Sequence, residues 1–263
     1  MGMELVELGP ALQLAGFSHW AAVEGQALEH LWAWWTSLGI QPEPWKSLKT
    51  VVNAEQGMWL QLEFRPGVMQ PAGPAGWASQ KKGELVIGGE VRYCTHPEYP
   101  RDQLFYHGTS LKTAAKIICE GKIKSSLEVV GKAHHPNGVY SYIDLGVSMT
   151  SGYQQGAVIV FESAGIFLDK KLSRSLDEIP VGAIGSIARS ATKKHACLGQ
   201  ERIHHPNNCS ISHVFLSAKE LILSNQLHEE SYLHIQILQQ RFRSAAPQLH
   251  CPALPFHSIS VMS

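Results

Sequence analysis

The run Ala157-Val158-Ile159-Val160-Phe161 constrains this chain more than any other stretch of it. Five successive apolar residues, three of them β-branched, are too few for a self-burying helix and show no alternation that would leave one face wet. They read as a strand covered on both faces, and such a strand belongs at the centre of a layered domain. The chain can supply the layers, because 263 residues at 44% apolar and 17% charged suffice for one large domain or a modest one with a companion.

Helices are expected where capping residues open a three-and-four apolar spacing. Ser18 can start one whose positions Leu28, Leu31, Trp32, Trp35 and Leu38 form a stripe ending at Gly39. That stripe either packs on its own domain or presents a face to a partner or membrane surface. A second helix starts after Thr109 or Ser110, buries Leu111, Ala114, Ala115 and Ile118, and stops at Gly121. Strands are expected at Trp59 to Phe64, Leu85 to Tyr93, Glu201 to His204 and His213 to Leu216. The Pro/Gly-rich stretch from Arg65 to Gly83 reads as a long loop. All seven Trp lie between positions 20 and 77, whereas eleven of the fourteen His follow residue 100, which suggests a boundary there. Three parts result: a Trp-rich region at 1–100, a domain at 101–225, and an extension at 226–263.

Charge narrows the partners. Twenty-two Lys plus Arg balance twenty-two Asp plus Glu, so no net field draws the chain to nucleic acid or anionic lipid. No apolar run approaches the roughly 18 residues a membrane helix needs, and the opening Met-Gly-Met-Glu-Leu lacks the features of a secretory signal. The expected setting is intracellular, cytoplasmic or nuclear. Five Cys at irregular positions then read as reduced thiols. Cys197, His204, His205 and Cys209 carry zinc-ligand chemistry, but without paired-knuckle spacing they read as ordinary thiols and surface histidines. No metal site is expected. Neither a Gly-x-Ser-x-Gly elbow nor a Walker or Gly-x-Gly-x-x-Gly sequence is present.

Three short elements follow one another in the second part. Phe105-Tyr106-His107-Gly108-Thr109-Ser110 runs an apolar strand end into a helix start, and the glycine lets a ligand approach the backbone beside an imidazole. Gly138-Val139-Tyr140 and Ser148-Met149-Thr150-Ser151-Gly152-Tyr153 then offer two aromatic rings with hydroxyls nearby, suited to a planar ligand.

In this order the elements resemble the poly(ADP-ribose) polymerase-like ADP-ribosyltransferases, which carry Phe-His-Gly-Thr/Ser, then Gly-Ile/Val-Tyr-Phe-Ala, then Ser-x-Ser-x-x-Tyr, and a late Glu on a core strand. Here the second element reads GVYSYI, so Ser141-Tyr142 stand in place of Phe-Ala, and a small insertion is needed between Tyr142 and Val147. The late acid is assigned to Glu201, followed by the apolar segment His213 to Leu216, with Glu220 as its competitor. His204-His205-Pro206 is expected to shorten or bend the strand that Glu201 opens.

The resemblance covers residues 101 to about 225. It implies an α+β fold, an ADP-ribosyltransferase-like split antiparallel β-sheet core with flanking helices, joined here to the Trp-rich N-terminal region. It implies NAD as substrate and a macromolecular acceptor, a protein ahead of a nucleic acid, which the charge balance does not support. His107 would hydrogen-bond a ribose 2′-hydroxyl, while the Gly108 backbone and Thr150 would hold the nicotinamide amide. Tyr153 would stack on the nicotinamide, Tyr140 would line the pocket as the tyrosine of a His107-Tyr140-Glu201 catalytic triad, Thr109 and Ser148 would contribute polar contacts, and Glu201 would face the nicotinamide ribose. Alternatives are a silent NAD- or ADP-ribose-binding module of the same fold, or an RNA 2′-phosphotransferase, which also carries a His-Gly turn.

Overall fold

Gly39 and Gly121, both left-handed at φ 67° and 68°, stop the two longest helices among the described residues, where their sequences run out of apolar spacing. The computed structural model describes residues 6–7, 18–39, 45–53, 57–64, 79–81, 84–87, 90–94, 103–130, 137–150, 154–163, 165–168, 170–186 and 201–224. Helix α1 is Ser18–Ser37 and α2 is Leu111–Glu120; shorter helices are α3 (Ser126–Val130), α4 (Leu145–Thr150) and α5 (Lys170–Ser175). Strands β1 (Val6–Glu7), β2 (Trp45–Asn53) and β3 (Gly57–Phe64) precede a small hairpin sheet of β4 (Ser79–Lys81), β5 (Glu84–Ile87) and β6 (Glu90–Cys94). The later strands are β7 (Leu104–Ser110), β8 (Val139–Tyr142), β9 (Gly156–Ser163), β10 (Ile166–Phe167), β11 (Ala183–Ser186), β12 (Glu201–His204) and β13 (Cys209–Ser217).

The architecture is α+β. Ten strands form one sheet in the order β1-β2-β3-β13-β9-β7-β8-β12-β11-β10, antiparallel throughout except for the β10–β11 pair. β9 sits near its middle between β13 and β7, and Ala157 to Phe161 are at most 2% exposed. Its alternating side chains serve two cores. Ile159 and Phe161 join Phe105, Val214 and Leu216 on one face, under Leu31, Trp35 and Ala27 of α1 and Ala114, Ile117 and Ile118 of α2. Val158 and Val160 join Trp59, Phe215 and Met149 of α4 on the other. A fully buried Leu, Ile or Phe contributes roughly 1.5–3 kcal/mol, so these two layers hold the sheet from both sides.

The Trp stripe therefore packs mainly inward: Trp35 and Trp45 meet edge-to-face at 4.4 Å, and Trp32 alone of the α1 tryptophans with described side chains is exposed. β3 pairs with β13 from Trp59↔Ser217 to Glu63↔His213, so strands of the Trp-rich region and of the later region share one sheet. The expected 100/101 boundary falls on residues outside those described, and Met1–Leu223 form one unit. Two local expectations need correction. The loop expected at 65–83 contains strand β4, and the single strand expected at 85–93 is two strands turned back on each other, because Gly88-Gly89 interrupts the apolar run. The stretch from 225 onward lies outside the described residues.

Candidate functional site

β7 accompanies β9 along its whole length, from Leu104↔Glu162 to Ser110↔Gly156, yet among the described residues it pairs with β8 only at Tyr106↔Tyr142. Beyond that pair the two strands part, and the sheet opens beside His107. The imidazole bridges the opening. His107 Nδ1 lies 2.6 Å from the Tyr140 carbonyl oxygen. A carbonyl oxygen can only accept, so Nδ1 donates, and in the neutral ring Nε2 keeps a free lone pair. Burial lowers the His107 pKa from its ordinary value, with the bond to Tyr140 opposing that shift. A neutral ring with its Nε2 as acceptor is thus the state favoured at neutral pH.

Immediately past the opening, Ser110 caps α2 by accepting from the Thr113 backbone N–H at 3.2 Å. The strand-to-helix corner is therefore anchored at both ends, by His107 on β8 and by the cap on α2. Gly108 is where Gln154 packs closely, since a Cβ would stand 3.2 Å from its backbone N and side-chain Cβ.

β8 continues the sheet to β12, whose register sets Glu201 opposite Tyr142 and Ile203 opposite Tyr140. Glu201 is 7% exposed. His205-Pro206 ends β12 after four residues in a 3-10 turn, as the sequence suggested. On the other face of β12, His204 is fully buried: Nε2 lies 2.7 Å from Ser141 Oγ, Nδ1 lies 2.9 Å from Ser163 Oγ, and Phe105 and Phe161 pack edge-on at 4.4 and 5.0 Å. Burial, with Arg202 and His107 nearby, pushes its pKa down to about 3. This histidine ties β8, β9 and β12 together.

One cleft of about 630 Å³ is lined by His107, Gly108, Thr109, Tyr140, Tyr142 and Glu201, among other residues. Its size suits a small-molecule ligand. Strands β7, β8 and β12, far apart in sequence, each contribute to its wall. The remaining expected site residues are placed differently. Ser148 is fully buried on α4 and is not among the cleft-lining residues. Thr150 ends α4, its side chain outside the described residues, as is all of Tyr153. Glu220 also does not line the cleft; its Cβ sits beside Gly156, where an added methyl would meet it at 2.9 Å.

The expectation that His204 is a surface histidine is corrected: both its ring nitrogens bond serine hydroxyls inside the core. Cys209 is buried with its thiol on the His205 carbonyl at 3.6 Å, and burial pushes that thiol's pKa upward. Cys197 lies outside the described residues. Tyr142, treated as the edge of an insertion, is one of several lining residues that sequence reasoning passed over, Thr113, Lys116 and Glu128 being others. The signal was present, since residues 140 and 142 fall on one face of a strand. The insertion itself is a helix start: Asp144 Oδ1 accepts from the Val147 N–H at 2.9 Å and opens α4. At the sequence level, no protein-family model and no curated protein matches the chain.

Proposed function

We propose that this chain is an NAD-dependent ADP-ribosyltransferase whose site is the cleft walled by β7, β8 and β12 and by α2 and α3. The observation that carries the reading is the gathering of His107, Gly108, Thr109, Tyr140 and Glu201 around one opening in an antiparallel sheet. Each of these positions is one that the resemblance assigns to NAD, and they come from three strands distant in sequence, β7, β8 and β12. Their chemistry fits the dinucleotide. Nε2 of neutral His107 accepts a hydrogen bond from a ribose hydroxyl, the Gly108 backbone approaches an amide closely, and the Tyr140 ring offers a flat apolar wall.

In the reaction the bond between ribose C1′ and the nicotinamide nitrogen breaks, and the electron pair leaves with neutral nicotinamide. The charge that develops on the ribose resembles that of glycoside hydrolysis. Glu201, itself buried to 7% exposure, stabilises that charge with less screening than a carboxylate in bulk water would have. A nucleophile on the acceptor then bonds to C1′ and releases its proton.

Purified protein incubated with NAD, followed by quantification of nicotinamide and mass spectrometry of added ADP-ribose, tests the reading. Nicotinamide release with ADP-ribose on a protein supports it. NAD binding without release would make the chain a silent module of the same fold. Nicotinamide release that requires a 2′-phosphorylated RNA, with the RNA phosphate moved onto the ADP-ribose of NAD and none of the ADP-ribose on protein, would replace it with the phosphotransferase.

A further inference from the structure

Tyr142 is the one β8 residue with a described strand partner on both sides, Tyr106 on β7 and Glu201 on β12. Directly paired residues in antiparallel strands share a face and bring their Cβ atoms to roughly 4.5–5.5 Å. A phenol at this position stands in a lateral row with another phenol and a carboxyl, 8% exposed and lining the cleft. The strand that carries it has little freedom to yield. Ser141, its neighbour, is held by His204, and at Gly138 even a methyl would meet Ile203 Cγ2 at 2.5 Å and the His204 carbonyl at 2.8 Å. β8 is thus locked onto β12 on either side of Tyr140, and the Tyr142 ring is a fixed wall beside the acid.

Resting on the NAD reading above, we infer that Tyr142 is a specificity-determining residue, which limits the pyridine ring bound beside it to one that carries no group toward β8 beyond the carboxamide of nicotinamide. In the pattern this chain resembles, the same position is alanine, so the phenol occupies space that a small residue would leave open. The consequence is steric selection on the nicotinamide side. A substituent projecting from the pyridine ring toward β8 collides with a side chain whose strand is paired on both sides.

The test compares NAD with an NAD analogue carrying an ethyl group at nicotinamide C5, using full-length wild type, Tyr142→Phe and Tyr142→Ala. The readout is the ratio of kcat/KM for the two dinucleotides within each variant, which does not depend on how much of a preparation is folded. A pocket contact of one or two methylenes is worth about 10- to 200-fold. Wild type and Tyr142→Phe are expected to prefer NAD, and Tyr142→Ala to lower that preference at least about tenfold. If Tyr142→Ala does not fold, Tyr142→Leu, which keeps apolar bulk but shortens the side chain, serves in its place. An unchanged ratio with active wild type overturns this inference alone. Absence of both NAD binding and nicotinamide release in wild type removes the functional reading and this inference with it.

Discussion

The Nδ1 of His107 lies 2.6 Å from the main-chain oxygen of Tyr140, across the place where β7 and β8 stop pairing. A side chain here does what a backbone N–H does elsewhere in the sheet, and it leaves the other ring nitrogen for a ligand. Two substitutions separate these duties. His107→Asn retains a donor near the Nδ1 position and is expected to keep the fold while losing NAD affinity at least about tenfold, a hydrogen bond's worth. His107→Ala also leaves the carbonyl without its donor and should cost an additional 1–3 kcal/mol or so of stability. Isothermal titration and urea unfolding on both variants check this.

Glu201→Gln preserves volume at a buried position but removes the charge. Nicotinamide release should fall by about 10²–10³, in the range seen when a single transition-state contact is removed. NAD affinity should change little, because the charge matters after the bond begins to break. Equal losses in affinity and rate would give Glu201 a ground-state role instead.

His204 makes a prediction about pH. Its folded-state pKa of about 3 lies below the ordinary value of 6.5, so the unfolded chain binds a proton that the folded one refuses. This stability is fully present above pH 6.5 and is lost as pH falls from there toward 3, with a slope on the order of 1 kcal/mol per pH unit. His107, shifted in the same direction, adds to the trend. Urea unfolding at pH 7 and pH 5 should show the loss, and His204→Gln should show a shallower dependence.

Gly138→Ala tests how tightly β8 and β12 are joined. The new methyl meets a backbone carbonyl at 2.8 Å, which cannot swing aside as the end of a flexible side chain would. An overpacking cost of about 1–3 kcal/mol is expected. Nicotinamide release should drop further than the folded fraction does, since the strand that shifts carries Glu201. Thermal melts run alongside activity assays distinguish the two losses.

Ser110→Ala removes the cap of α2. A loss of about 1 kcal/mol in chemical denaturation is expected. Because Ser110 also lines the cleft three residues after His107, NAD affinity should weaken at the same time.

Some of this protein was legible in its residues alone. The apolar run 157–161 announced the central strand, and Ser110 with Gly121 marked both ends of α2, because capping and periodicity are local and repeat their signals every few residues. Motif order singled out His107, Tyr140 and Glu201. Three things required the tertiary structure. Sheet order is set by pairings between strands that are distant in sequence, so nothing near residue 59 announces that β3 will lie against β13. The burial of His204 depends on Ser141 and Ser163, 63 and 41 positions away, which turn an apparent surface histidine into a neutral strut of the core. Tyr142 acquired its place beside Glu201 only through register, since a shift of one residue in β8 would have turned the same ring to the opposite face.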